Sequence, residues 1–91
     1  MNRLVWTSGF KRSAQKLIKK NPNIIKLFKL RIKILEDNPF HPSLKTHKLK
    51  GRLSSCFACS INFEYRIVFK ICESESDCIE LLNIGTHDEV Y

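Results

Sequence analysis

The stretch Tyr65-Arg66-Ile67-Val68-Phe69-Lys70-Ile71 decides the fold, because two kinds of side chain alternate along it. Arg66, Val68 and Lys70 occupy every second position, and aromatic or isoleucine side chains occupy the positions between them. A period of two is typical of a β-strand with one buried face. This stretch therefore predicts a strand that packs one side against a hydrophobic core.

Two further strand-like runs flank this one, from Cys56 to Ile61 and from Asp77 or Cys78 to Ile84. The connections have the lengths of hairpin turns, and they consist of Asn62-Phe63-Glu64 and Glu73-Ser74-Glu75-Ser76. The C-terminal half therefore predicts a three-stranded antiparallel meander.

The N-terminal half predicts one strand and the start of a helical layer. Residues 3–6 are short and apolar, with Val and Trp among them, which favours a strand. Thr7 or Ser8 offers an N-cap, and apolar residues then recur at helical spacing to about Lys20.

A second helix is predicted between Asn21-Pro22 and Asn38-Pro39, the first pair typical of a helix start and the second of a stop. Its apolar stripe is wide, so we expect most of it to be covered. Residues 39–54 form one long loop. The fold class is α+β, in the order β-α-α-β-β-β. We expect an antiparallel sheet of the meander plus the N-terminal strand, with a two-helix hairpin packed on one face.

The composition is that of an ordinary globular chain, with 43% hydrophobic and 27% charged residues among 91. We expect a single domain over residues 1–91. No apolar run approaches the ~20 residues of a membrane span. The N-terminus also lacks the apolar core of a signal peptide. These features predict a cytoplasmic protein without a membrane partner.

The four cysteines are expected to be reduced thiols, because secreted disulfide scaffolds are usually denser in cysteine. Cys56-Phe57-Ala58-Cys59 has the spacing of a zinc-ligand pair, which is the alternative. On a strand, however, residues three apart point to opposite faces, so the two sulfurs could not share a metal. We therefore expect Cys56 and Cys59 to be small buried side chains. We expect no metal or other cofactor in the protein.

The positive charge is concentrated in the N-terminal half. Residues 1–52 contain fourteen Lys and Arg against two acidic residues, whereas residues 53–91 contain two against seven. So basic a block is typical of a surface that binds phosphates or an acidic protein. A solvated helix face explains the helical lysines well, but it explains the crowded loop cations around Lys48 and Arg52 less well.

The last seven residues, Gly85-Thr86-His87-Asp88-Glu89-Val90-Tyr91, place an imidazole, two carboxylates and a phenol directly after an apolar strand. A hydrophobic core needs no such polar cluster at its end. We therefore expect this tail to carry chemistry.

Three segments together resemble a known family. They are His47-Lys48-Leu49-Lys50-Gly51, Tyr65-Arg66-Ile67-Val68-Phe69 and the tail, and in this order and spacing they resemble the RelE/ParE superfamily of toxins from bacterial type II toxin–antitoxin systems. The YafQ-like branch is the most similar. The resemblance covers nearly the whole chain. It implies a metal-independent endonuclease that cuts messenger RNA on the ribosome and is silenced by a cognate antitoxin in a toxin–antitoxin complex.

The resemblance also implies a set of site residues. Cleavage through the ribose 2′-OH needs an acid, a base and cations around the phosphate, and histidine suits the proton transfers. The implied catalytic residues are His87, His47, Glu64 and Tyr91. The implied RNA-binding residues are Lys48, Lys50, Arg52 and Arg66. Which histidine is acid and which is base stays open, and Tyr91 could stack on a base, donate a proton or simply cover the sheet edge.

Two positions depart from the YafQ-like pattern. Ser60 stands where that pattern has a further histidine, and Tyr65 stands where it has a tryptophan. The missing histidine makes a weakly active or inactive homologue one alternative. A second alternative is a ParE-like toxin that inhibits DNA gyrase by contact alone. A third, a purely regulatory nucleic-acid binder, ranks lower because no helix-turn-helix or zinc-finger motif occurs. The basic half also predicts that the antitoxin is acidic and folds on binding.

Overall fold

The computed structural model describes residues 1–74 and 77–91, and their strands form one five-stranded sheet. The strand order is β1-β5-β4-β3-β2. The strands are β1 (Arg3–Trp6), β2 (His47–Lys48), β3 (Phe57–Ser60), β4 (Tyr65–Ile71) and β5 (Cys78–Thr86). The predicted meander is confirmed, since β3 pairs antiparallel with β4 and β4 with β5. The second predicted turn includes residues 75 and 76, which lie outside the described residues.

Two long helices follow β1, as the sequence predicts. They are α1 (Ser8–Lys20) and α2 (Ile25–Asp37), separated by a 3₁₀ turn at Pro22–Ile24. The N-cap of α1 is Thr7, whose hydroxyl oxygen accepts a hydrogen bond from the Phe10 backbone N–H at 3.2 Å. This bond satisfies one of the backbone donors left free at a helix start.

One face of the sheet packs against the helices and contains most of the buried side chains. Phe10 and Leu35 from the helices meet Ile67, Phe69 and other alternate residues of the central strands in one continuous cluster. These are the positions that the alternation in 65–71 assigns to the buried face. The predicted α+β class with both helices contributing to one core is confirmed.

The opposite face of the sheet is covered by a smaller hydrophobic cluster. Val68 of β4 packs there with Cys56 and with Val90 of a short C-terminal helix, α3 (His87–Val90). Leu49 and Leu53 from the loop, and Leu82 from β5, are half-buried against this cluster. The C-terminal tail is thus folded back onto the open face of the sheet.

The sheet is mixed, so the prediction of a wholly antiparallel sheet is wrong in one strand. β1 pairs parallel to β5, with Arg3 opposite Cys78 and Trp6 opposite Leu81. The long connection between them, which contains both helices and the first two strands of the meander, allows a parallel pairing that no hairpin could make. Nothing in a four-residue strand distinguishes the two directions.

The loop predicted over residues 39–54 contains a further strand. His47 and Lys48 pair antiparallel with Ala58 and Phe57 and extend the sheet by one edge strand. The last strand is also longer than predicted, because β5 continues past Ile84 to Thr86 opposite Tyr65. In both cases the segment is a strand because it pairs with a neighbouring strand, and its own sequence pattern does not indicate one.

The cysteine prediction is wrong for two of the four residues. Cys72 and Cys78 form a disulfide, with their Cα atoms 5.3 Å apart. The antiparallel pairing of β4 and β5 causes this, because the Cys72 N–H donates to the Cys78 carbonyl oxygen at 3.0 Å. Cys56 and Cys59 are free and buried, and they pack in the two different clusters on opposite faces, as the strand geometry predicts.

Most of the apolar stripe of the second helix is covered, as the sequence predicts. Phe28 and Leu35 are buried, but Leu30 is 54% exposed. Its neighbours Leu27 and Ile34 are only partly buried against the core. Within the described residues, no helix has the length and apolar character that crossing a membrane requires.

Candidate active site on the open face

The tail helix is held in place by a reciprocal cap. The Thr86 backbone N–H donates to Glu89 Oε1 at 2.8 Å, and the Thr86 side chain caps the backbone of the same turn. A side chain at position 85 would meet this carboxylate, since a Cβ built on Gly85 would lie 2.9 Å from Glu89 Oε1. Glycine at position 85 therefore lets Glu89 reach back over the end of β5.

The hydrogen bonds from Thr86 lower the pKa of the Glu89 carboxyl below its ordinary value, and the charges of Lys20 and Lys16 contribute less. Asp88, by contrast, is fully exposed and lies 3.6 Å from His87 Nδ1. The Glu89 carboxylate therefore caps the tail helix, whereas the Asp88 carboxylate is exposed to solvent.

His87 and Tyr91 lie on one side of this helix, four residues apart. Their rings meet edge to face with centroids 4.5 Å apart. The His87 side chain is 71% exposed, so it is open to a substrate. Burial raises the pKa of the Tyr91 phenol above its ordinary value, and the nearby Arg66 guanidinium opposes this only in part. The phenol therefore keeps its proton at neutral pH and is available as a donor.

Tyr91 lines a cleft of about 270 Å³ together with residues of the basic loop. Lys50 and Arg52 supply two cations to its wall, and Leu49 and Leu53 supply apolar surface. The fold thus brings two segments that the sequence separates by about forty positions into one cleft. These two segments, the tail and the basic loop, are the ones from which the resemblance implies site residues.

His47 lies on β2, at the edge of the sheet. Its Cα pairs with Ala58, which in turn pairs with Val68 at the centre of the open face. Strand spacing therefore places it roughly 10 Å from Val68. Its Nδ1 lies 3.3 Å from the Lys45 carbonyl oxygen. Donation from Nδ1–H to that carbonyl leaves Nε2 of a neutral ring as the free acceptor. Lys48, the next residue, is exposed on the same edge strand.

Arg66 binds the backbone of the β3–β4 hairpin through Nη1. This nitrogen donates to the carbonyl oxygens of Asn62 and Phe63, both at 3.0 Å, and of Tyr65 at 3.2 Å. This role is not among those expected from the sequence. Ser60, the position of the missing histidine, pairs directly opposite Arg66.

Glu64 lies in a different cleft from Tyr91. This cleft, of about 360 Å³, runs between α1 and the ends of β4 and β5. Glu64 and Glu89 line it together with Lys16 and Lys20 of α1. The tail helix therefore separates the two clefts, with Glu89 on one side and Tyr91 on the other.

The predicted residues thus divide into groups. His87 and Tyr91 are in contact, and Tyr91 shares a cleft with Lys50 and Arg52. The capping role of Glu89 is not among those expected from the sequence, although Thr86-x-x-Glu89 is the spacing of a capping box. Among the described residues, no group of three or more His, Cys, Asp or Glu side chains is arranged to hold a metal ion.

Comparison with known proteins identifies the family. The sequence model described as "Bacterial toxin of type II toxin-antitoxin system, YafQ" matches residues 2–91. The chain belongs to the YafQ toxin family. The toxins of this family belong to type II toxin–antitoxin systems, so membership implies an antitoxin partner. A search of curated protein sequences gives no match.

Solved structures of YafQ and related toxins share the fold. YafQ from E. coli strain BL21(DE3) has a TM-score of 0.80 at 15% identity, over 100% of this chain and 99% of that one. A metal-bound toxin from Helicobacter pylori has a TM-score of 0.76 at 23% identity, over 100% of both chains. A YoeB/ParE toxin from Agrobacterium tumefaciens has a TM-score of 0.76 at 22% identity, over 93% of this chain and 98% of that one.

Proposed function

We propose that this YafQ-family toxin is an endoribonuclease that cleaves messenger RNA on the ribosome and thereby inhibits translation. The observation that carries the proposal is the cleft in which Tyr91, in contact with His87, meets Lys50 and Arg52. Metal-free phosphodiester cleavage needs groups that transfer protons and cations around the phosphate. His87, the protonated phenol of Tyr91 and the two cations supply groups of both kinds.

The proposed roles follow from exposure and charge. Lys50 and Arg52 hold the scissile phosphate and stabilise the negative charge that develops on it. His87, exposed beside the cleft, transfers a proton to or from the reacting oxygens. Tyr91 keeps its proton because its pKa is raised, so its ring supports a base or its hydroxyl donates to the phosphate.

The other predicted residues do not line the cleft that contains Tyr91. His47 is the second proton carrier, with Nε2 as the free nitrogen of its ring. Lys48 holds the RNA backbone along the edge strand. Glu64 lines the cleft on the far side of the tail helix, where it contacts substrate that extends past the tail rather than the scissile phosphate. Arg66 acts on Tyr91 through its charge while it braces the hairpin.

Induced expression of the chain without an antitoxin tests the activity. We expect growth arrest and new 5′ ends within transcripts, detected by primer extension. His87→Ala should lower cleavage by about a hundredfold or more, the range of a lost general acid or base. The matched control is His41→Asn. His41 lies outside the cleft and accepts a hydrogen bond from the Ser43 N–H, and Asn also serves as such a cap.

Three outcomes separate the alternatives. Cleavage in a purified translation reaction that persists in excess chelator supports the metal-independent mechanism. Intact transcripts with loss of gyrase supercoiling activity would show a ParE-like toxin instead. Equal toxicity of the His87→Ala and His41→Asn variants would remove His87 from the mechanism.

The partner follows from the same charges. We propose that the antitoxin is acidic and covers the basic loop, because Lys48, Lys50 and Arg52 are all exposed there. Co-expression with the neighbouring reading frame should restore growth, and the complex should weaken as salt is raised.

A further inference from the structure

Phe63 stands at the tip of the β3–β4 hairpin with 99% of its surface exposed. Full exposure of a phenylalanine at a fixed turn is unfavourable for solubility and contributes nothing to the core. The other exposed aromatic rings differ, because Phe40 packs on Phe57, Trp6 on Phe10 and Tyr91 on His87. Among the described aromatic side chains, Phe63 therefore stands out as a ring offered entirely to solvent.

The hairpin that carries Phe63 is braced from inside. Asn62 Oδ1 accepts from the backbone N–H groups of Glu64 at 2.9 Å and Tyr65 at 2.8 Å. Arg66 Nη1 donates to the carbonyl oxygens of Asn62 and Phe63. Both sides of the tip backbone are thus hydrogen-bonded, so its conformation is set before any ligand arrives.

A second arginine fixes the base of the same hairpin. Arg31 Nε, from the middle of α2, donates to the Ile61 carbonyl oxygen at 3.2 Å. Two guanidinium groups therefore lie beneath a turn of three residues. A pre-ordered ring loses little conformational entropy when it binds, which favours a binding role.

Positive charge surrounds this hairpin. Arg31 and Arg66 lie beneath it, and Lys16 and Lys20 face Glu64 across the adjoining cleft. Among the described residues that line this cleft, Glu64 and Glu89 carry carboxylates, and the four cations outnumber these two. This balance suits a polyanion that passes beside the ring.

The tip also lies at the same end of the sheet as the tail helix. Tyr65, two residues after Phe63, pairs with Thr86, and His87 follows Thr86 directly. An RNA strand bound at the proposed site can therefore extend past Phe63.

We propose that Phe63 is a stacking platform for one unpaired base of single-stranded RNA, next to the site and separate from it. The inference rests on the proposed ribonuclease function. A ring at a convex tip meets a nucleobase with one face alone, which is sufficient for stacking. An anchor in a protein interface needs further apolar contacts around it, whereas Phe63 has Asn62 and Glu64 as neighbours.

The test measures RNA binding in the His87→Ala background, where cleavage is expected to be at least a hundredfold slower. The probe is a short labelled adenylate oligomer, titrated at constant salt because affinity for RNA depends on salt. Phe63→Ala should weaken binding by about fivefold or more, the range of one lost base–aromatic stack. Phe63→Trp should keep the affinity. An abasic ribose-phosphate oligomer should bind both variants equally, and Phe40→Ala is the matched aromatic control.

A direct readout uses Phe63→Trp combined with Trp6→Phe, which leaves position 63 as the only indole. Adenylate should quench its emission, and the abasic oligomer should not. Equal adenylate affinities with and without the Phe63→Ala substitution, or an unquenched indole, would overturn the assignment. So would loss of a co-purifying protein partner in Phe63→Ala with RNA binding unchanged. If the chain with His87 intact still cleaves transcripts in cells, only the platform fails and the proposed ribonuclease function stands.

Discussion

The two faces of the sheet are covered in different ways. Among the described residues, fifteen are buried in one cluster on the helix-covered face, and most of them come from the two helices and three strands. The open face buries three, Cys56, Val68 and Val90, beneath a one-turn helix and a loop. Hydrophobic burial is roughly proportional to the apolar area removed from water, so most of the stability comes from the first face.

The proposed site lies on the less deeply covered face of the sheet. His87, Tyr91, Lys50 and Arg52 all belong to segments that cover the open face. Segments with little buried area carry the proposed functional groups, while most of the hydrophobic core lies on the opposite face. Mutations on the two faces should therefore separate stability from activity.

The largest expected effect on stability is on the helix-covered face. Phe69 is fully buried and stacks on Phe57, so Phe69→Ala should lower the free energy of unfolding by about 3–5 kcal/mol. Chemical denaturation monitored by circular dichroism measures the loss. A loss below about 1 kcal/mol would mean that this core is not the main source of stability.

A smaller loss of stability is expected on the open face. Val90 anchors the tail helix on Val68, and Val90→Ala should cost roughly 1–2 kcal/mol. Cleavage by the remaining folded protein should nevertheless fall about tenfold or more, because His87 and Tyr91 lose their fixed position. The experiment compares cleavage rates at equal folded concentration. Unchanged cleavage would show that the tail does not need this anchor.

The smallest expected effect is a pH dependence confined to the tail. The pKa of Glu89 is lower in the folded protein than in the unfolded chain, so its stabilisation is present above the unfolded value of 4.5. It is lost as the pH falls below 4.5 through the folded pKa. NMR shifts of the Tyr91 ring should therefore change in that range. Glu89→Gln keeps the capping acceptor but cannot titrate, so the change should disappear.

The order of the main elements could be predicted from the sequence because it depends on local patterns. Alternation over 65–71 predicts β4, the pairs Asn21-Pro22 and Asn38-Pro39 bound the second helix, and Thr7 caps the first. The loop cations and the tail could also be linked through the resemblance to the toxin superfamily. The expectation of four free thiols was wrong, because a bond between Cys72 and Cys78 depends on pairing across the sheet.

Local sequence patterns are sufficient to predict the helices, the meander and the residue types of the proposed site, since each depends on neighbours a few positions apart. Only the tertiary structure decided that β1 runs parallel to β5, that His47 joins an edge strand and that Glu64 lies across the tail helix from Tyr91. These facts depend on which distant segments meet. The hydrophobic effect that drives these contacts is non-directional. The pattern of apolar residues along the chain therefore does not specify which distant segments pair.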